Sequence, residues 1–171
     1  MDQQQAKFLV QFMTQLWEGE FPATCKVLAA VPEARRDYRP DDKSRTAWEL
    51  VVHLAISDVW FLDSTISGNF TYNPDIEKQF SADHPRVESV VGWYKETFPA
   101  KLNAVRTMPA DDMTRVVDFF GLFKWPAVSY LGFGNNHSIH HRGQLAAYLR
   151  SMGGKVPAIY GGSADEPYQG A

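Results

Sequence analysis

The sequence predicts an all-α protein: a four-helix bundle with a long connection between its second and third helices. Three observations carry this reading. Apolar residues recur every three or four positions over four long segments. Alternation of the strand type is confined to one short aromatic stretch. Proline-bearing connections separate the periodic segments, with two prolines in 31–43 and Pro74 and Pro85 in 69–85.

Residues 3–30 form the first helix, with Phe8, Phe12, Leu16, Val27 and Leu28 among its apolar positions. Pro22 removes an amide donor and should kink or split it. Residues 31–43 are polar, contain two prolines and have no period, so they read as a connection. Thr46-Ala-Trp-Glu49 fits a capping box that starts the second helix, with Ser44 as a competing cap. That helix runs to about Ser67 and is apolar on most of its circumference. It is therefore central to the bundle or covered on one side by a second subunit. Gly68 ends it.

Residues 69–85 read as a long crossover, compatible with a bundle that is not simply up-down-up-down. His84 lies there beside a proline and is expected to be exposed. Val87, Val91, Tyr94, Phe98, Leu102 and Val105 mark a third helix over 86–108, bent at Pro99. Within 109–127, Arg115–Phe120 reads as a short strand and Gly121–Pro126 as a turn, and the aromatics favour a hydrophobic plug over the mouth of a pocket. The fourth helix spans about Ala127 to Ser151 and stops at Gly153-Gly154. The whole chain, 1–171, is one domain with a core of about 5–152, and 153–171 is a tail with little core-forming material.

Composition narrows the function. A net charge of −3 lacks the basic stripe of a nucleic-acid binder. One cysteine, Cys25, excludes an internal disulfide and reads as a small buried apolar residue rather than a nucleophile. Neither a signal sequence nor an apolar run near 18 residues is visible, so a cytoplasmic protein with no membrane partner is expected.

The chemistry gathers in Asn135-Asn-His-Ser-Ile-His-His-Arg-Gly-Gln144, which holds three of the five histidines. His137 and His141 stand four apart, which on a helix is about 40° of rotation and about 6 Å of rise. Both imidazoles then leave one face, together with Tyr130, Phe133, Gln144 and Tyr148, and point into the bundle. His140 lies about 60° off that line and is the weaker candidate. His53, flanked by Leu50, Ile56 and Trp60 on its own helix, is an imidazole in apolar surroundings and needs a partner. Together His53, His137 and His141 offer three nitrogen ligands from two helices and an open position, the pattern of catalytic rather than structural metal sites. Imidazole suits zinc, nickel, iron or copper. Gln144 and Glu49 are candidates to orient an imidazole, and each serves equally well as a cap or a surface residue. Histidines that are merely hydrogen-bonded core residues are the bland alternative. A glutamate-based zincin motif and paired Glu-x-x-His di-iron motifs are both absent.

The run His137-Ser-Ile-His-His141-Arg-Gly-Gln144-Leu resembles the signature of the DinB/YfiT-like proteins, and Ser44-Arg-Thr-Ala-Trp-Glu-Leu-Val-Val-His53-Leu-Ala resembles their second-helix motif. The resemblance covers about residues 5–152. It implies a four-helix bundle, commonly a homodimer, with a divalent metal on His53, His137 and His141. Zinc or nickel is the first expectation and iron the next. It also implies a small-molecule substrate, and for some relatives a low-molecular-weight thiol such as bacillithiol or mycothiol. The first function it suggests is a metal-dependent S-transferase, with a metal-dependent hydrolase as its variant. A non-catalytic, metal-stabilised dimeric bundle in stress response is the contrasting class. Catalytic residues beyond the metal are not identified.

Overall fold

Asp2 opens the first helix with a capping box, its carboxylate accepting from the Gln5 amide while the Gln5 side chain accepts from the Asp2 amide. The structure is a computed structural model and describes residues 1–168. Helix α1 runs Gln3–Ala29. It continues through Pro22 instead of splitting there. The proline faces solvent, where a missing amide and a displaced carbonyl are tolerated by water. Val27 and Leu28 are buried as expected, whereas Phe8, Phe12 and Leu16 form an exposed stripe, with Phe8 at 64% exposure.

Helix α2 is Ala47–Ser67, started by the Thr46–Glu49 box and ended by Gly68 at φ 71°. A side chain at Gly68 is disfavoured by this left-handed φ, and the flexible Arg115 guanidinium, which lies where a Cβ would be, would have to move aside. Although α2 is long and apolar enough to cross a membrane, it is instead the central helix of the bundle, packed on its neighbours. Its apolar circumference is covered within the chain and calls for no second subunit.

The connection that follows is not plain loop. It contains helix α3, Ile76–Asp83, none of whose side chains is fully buried. His84 is half-buried, stacked on Phe80 at 4.2 Å between ring centroids, and not exposed as the sequence suggests. Helix α4 is Val87–Arg106 and runs through its solvent-facing Pro99. A five-residue helix α5, Ala110–Thr114, precedes an antiparallel hairpin of β1, Val116–Phe119, and β2, Phe123–Pro126. The expected strand is present. The expected turn contains a second strand, because the reversal is confined to Phe120-Gly121-Leu122, where Phe120 and Gly121 both take positive φ. Phe119 and Phe123 stack on each other at 4.8 Å and pack against Tyr130 and Phe133, which makes the inner hairpin face a plug. Helix α6 is Ser129–Leu149, followed by a 3-10 turn and Gly153 at φ 79°.

Pairings between helices fix their directions. Thr14 and Glu18 of α1 meet Arg106, near the end of α4, so these two run antiparallel. Asp58 of α2 meets Tyr94, and Asp63 meets Lys101, so α2 and α4 run parallel. Met13 lies beside Gly132 and Thr24 bonds Arg142, so α1 and α6 are parallel. The bundle is up-down-down-up, and the parallel α2–α4 pair is what requires the long crossover. Trp17, Tyr94, Phe98, Leu54, Leu62 and Leu145 lie in the common core.

The tail departs from expectation. Val156 and Ile159 pack on the core, Asp165 accepts from Arg150 and from the Val156 amide, and Tyr160 bonds Glu20 and Arg142. Its anchoring is largely polar, so an apolar pattern does not announce it. The part of the tail at 169–171 lies outside the described residues.

Candidate metal centre

His53 sits in the middle of α2 and points toward α6, which runs antiparallel beside it. On α6 the four-residue spacing brings His137 and His141 onto the face that meets His53. The imidazole centroids are 4.4 Å apart for His137–His141, 4.6 Å for His53–His141 and 5.2 Å for His53–His137. One nitrogen from each lies within 4.8 Å of the other two. All three expected residues are therefore brought together. They occupy a half-buried rim between the two helices rather than the bundle's interior. His140, the weaker candidate, is exposed and falls outside the cluster.

Two of the rings are held by acceptors. Glu77 of α3 places Oε1 2.7 Å from His53 Nδ1, and Arg45 bonds the same carboxylate at 2.9 and 3.1 Å. Burial pushes the Glu77 carboxyl up, but the His53 bond and the Arg45 charge outweigh it and hold the group ionised, below its ordinary range. An ionised carboxylate only accepts, so His53 Nδ1 donates to it and Nε2 is the ring nitrogen left for another partner. Gln144 Oε1 accepts likewise from His141 Nδ1 at 2.8 Å. His137 differs, since its Nδ1 is buried and has no hydrogen-bond partner. Around it stand Phe61, at 5.3 Å between centroids, and beyond that Phe133.

Two of the three rings resist protonation. Burial, then the charges of the neighbouring imidazoles, pushes His137 down to about 3. His141 falls to about 4, again chiefly by burial and against the pull of Gln144. His137 and His141 are thus neutral near pH 7, the form in which imidazole binds metals. Two rings that stay neutral, two that are oriented through Nδ1, and a buried ring nitrogen with no protein partner together fit a divalent cation at this point.

Of the two candidate orienting residues, Gln144 takes that role. Glu49 does not, since its carboxylate is engaged by the Thr46 amide in the capping box. The orienting residue that sequence reasoning missed is Glu77. Its signal was weak but present: Asp75 followed by Ile76 and Phe80 four apart, a one-face helical pattern inside a stretch otherwise polar and proline-bounded. Cys25 is buried, and burial pushes its thiol up to about 11, which suits packing and not nucleophilic attack.

A family model described as the DinB family matches residues 1–170. The chain belongs to the DinB family. Its relatives include an uncharacterised protein, YrdA, of Bacillus subtilis strain 168, 28% identical over 159 residues that span 88% of this chain and 87% of that one. Among solved structures, the DinB-like protein of Bacillus cereus ATCC 10987 superposes with a TM-score of 0.68 at 23% identity, covering 86% of this chain and 95% of the other. The mycothiol-dependent maleylpyruvate isomerase superposes with a TM-score of 0.56 at 15% identity, over 85% of this chain and 61% of that protein. These likenesses establish the DinB-type helical bundle for this chain.

Proposed function

We propose that this DinB-family protein is a divalent-metal-dependent enzyme that joins a low-molecular-weight thiol to an electrophilic small molecule. The observation that carries the reading is the convergence of three imidazoles, His53, His137 and His141, with no fourth His, Cys, Asp or Glu in the group among the described residues. A metal held there would lower the pKa of a coordinated thiol, or of water in a hydrolytic variant of the reaction. Zinc and nickel suit the three-nitrogen donor set, and iron does so next. The chain's own residues bind and orient: Glu77 and Gln144 fix two rings through Nδ1, while Phe61 and Phe133 keep water from the His137 side. A shared fold with a protein described as mycothiol-dependent supports a thiol as co-substrate. A cytoplasmic setting, where such thiols are held reduced, fits the same reading.

The unpartnered stripe of Phe8, Phe12 and Leu16 favours a second reading, a metal-stabilised homodimer without catalysis. One experiment separates them. Untagged protein is analysed for bound metal beside His53→Ala and His137→Ala, then assayed for thiol consumption with bacillithiol or mycothiol and a panel of electrophiles. Near-stoichiometric metal, lost in both variants, together with thiol-dependent turnover lost in His141→Ala, is the result expected of an enzyme. Metal without any turnover, and a large fall in melting temperature on chelation, would leave the second reading. No metal in any form of the protein would sink both.

A further inference from the structure

We infer that Glu77, itself held by Arg45, positions His53 for metal binding, so that docking of α3 and occupancy of the metal site are coupled. The inference rests on the reading that the three histidines hold a divalent cation, and it adds a residue and a helix to that reading.

Three observations carry it. First, Glu77 Oε1 lies 2.7 Å from His53 Nδ1, while its two carboxylate oxygens lie 3.1 and 2.9 Å from one Arg45 nitrogen. Arg45 neutralises the carboxylate and fixes its plane, and the carboxylate fixes the ring and its tautomer. Second, α3 is otherwise lightly attached. Among the described α-helices it alone has no fully buried side chain, and it packs chiefly on α2. Phe80, half-buried against Trp93 at 4.6 Å, is its main apolar anchor. Third, the other hydrogen-bond partner of His53 Nδ1 among the described residues is a weak one. Ser57 Oγ stands 3.4 Å from the same Nδ1, too far for a strong bond.

A cation on His53 Nε2 withdraws electron density from the ring and makes Nδ1–H a better donor. The bond to Glu77 then strengthens, and α3 is pulled onto α2. Linkage makes this reciprocal: the factor by which docked α3 tightens metal binding is the factor by which metal favours docked α3. Removing an orienting partner of a ligating histidine costs about 10–100-fold in metal affinity.

The test uses zinc as the probe, titrated against a competing chromophoric chelator, on the full chain and on Glu77→Ala, Glu77→Gln and Gln79→Ala. Gln79 is exposed on the same helix and lies away from His53. Amide hydrogen exchange over 76–83 is followed with and without zinc. Expected are a loss of about 10–100-fold in Glu77→Ala, recovery of most of it in Glu77→Gln, whose Oε1 still accepts the ring proton, and no change in Gln79→Ala. Exchange over 76–83 slows with zinc in the unmodified protein by a similar factor, and this slowing disappears in Glu77→Ala. Zinc affinity in Glu77→Ala within about twofold of the unmodified protein, with α3 exchange indifferent to zinc, overturns the coupling. Glu77→Gln as weak as Glu77→Ala overturns the orienting role in favour of direct ligation. A full chain that takes no zinc at all removes the metal reading itself, a failure plainly different from the other two.

Discussion

Helix α6 carries two polar layers only one residue apart in sequence, each joined by a residue of α2, and the two behave in opposite ways. On the outer face His53, His137 and His141 gather around one point, and His137 Nδ1 is left without a partner. On the inner face Asp58, Ser138 and Arg142 take part in a buried polar network with α1 and α4. Arg142 has a side chain 2% exposed, yet it bonds the Glu20 carboxylate at 2.5 Å, the Glu20 carbonyl at 3.1 Å, Thr24 at 3.2 Å and Tyr160 at 2.5 Å. Asp58 Oδ2 accepts from Tyr94 at 2.7 Å and from Ser138 at 2.8 Å, leaving only Oδ1 without a partner. The run from His137 to Gln144 is therefore two patterns interleaved, one presenting ligands and the other tying helices together. The inner residues use their hydrogen bonds to tie helices together, whereas the outer rings keep nitrogens turned to a common point.

The sharpest way to break this comparison is to remove a free imidazole. His137→Ala should abolish metal uptake, measured by elemental analysis, while changing the stability of the metal-free protein by no more than about 1 kcal/mol. The lost packing is offset by removal of an unpartnered buried nitrogen. A collapse of the fold in this variant would show that the outer layer is structural too.

The next largest effect belongs to Asp58. Burial pushes its carboxyl up to about 7, although the Tyr94 and Ser138 bonds and the Arg142 charge pull the other way. The folded chain keeps this proton longer than the unfolded chain does. Its favourable contribution is thus full below about pH 4 and is lost as pH rises through about 7, a swing on the order of 4 kcal/mol. His137 and His141 tilt stability the opposite way. Depressed in the folded state, they stabilise above their ordinary pKa near 6.5, and that stability is lost as pH falls toward about 4 and 3. The difference in unfolding free energy between the unmodified protein and Asp58→Asn, followed from pH 4 to 8, isolates the carboxyl. The variant should become the more stable of the two at the alkaline end. A pH-independent difference would mean that Asp58 is not the buried acid argued here.

Arg142→Ala follows, at about 3 kcal/mol of destabilisation in denaturant unfolding, because it strands the Glu20 carboxylate and loosens the tail at Tyr160. Metal bound per folded molecule should not change. Metal lost in proportion to unfolding leaves the two layers separate, and metal lost from fully folded protein joins them. The smallest effect sharpens the outer layer alone. Gln144→Ala should weaken metal binding about tenfold, through the freed His141 Nδ1, without moving the melting temperature of the metal-free protein. A shift in melting temperature with unchanged affinity would move Gln144 to the structural side.

Much of this was legible in the chain itself. Helical periodicity set the four long helices, Thr46-x-x-Glu49 and Gly68 set the ends of α2, and the spacing of His137 and His141 set a shared face. These are local properties, fixed by the 3.6-residue repeat and by capping chemistry, so a linear reading reaches them. Tertiary structure decided the rest. That α2 is covered by α3, α4 and α6, that Ser138 and Arg142 turn inward while their histidine neighbours do not, and that Glu77 reaches His53 from a helix of eight residues all depend on contacts between distant segments. So does the tail, which Arg142 and Glu20 hold through Tyr160, the glutamate from 140 residues away in the chain. Such partners are brought together by bundle geometry and chosen by unpaired charge and hydrogen-bond need, and neither leaves a period in the sequence.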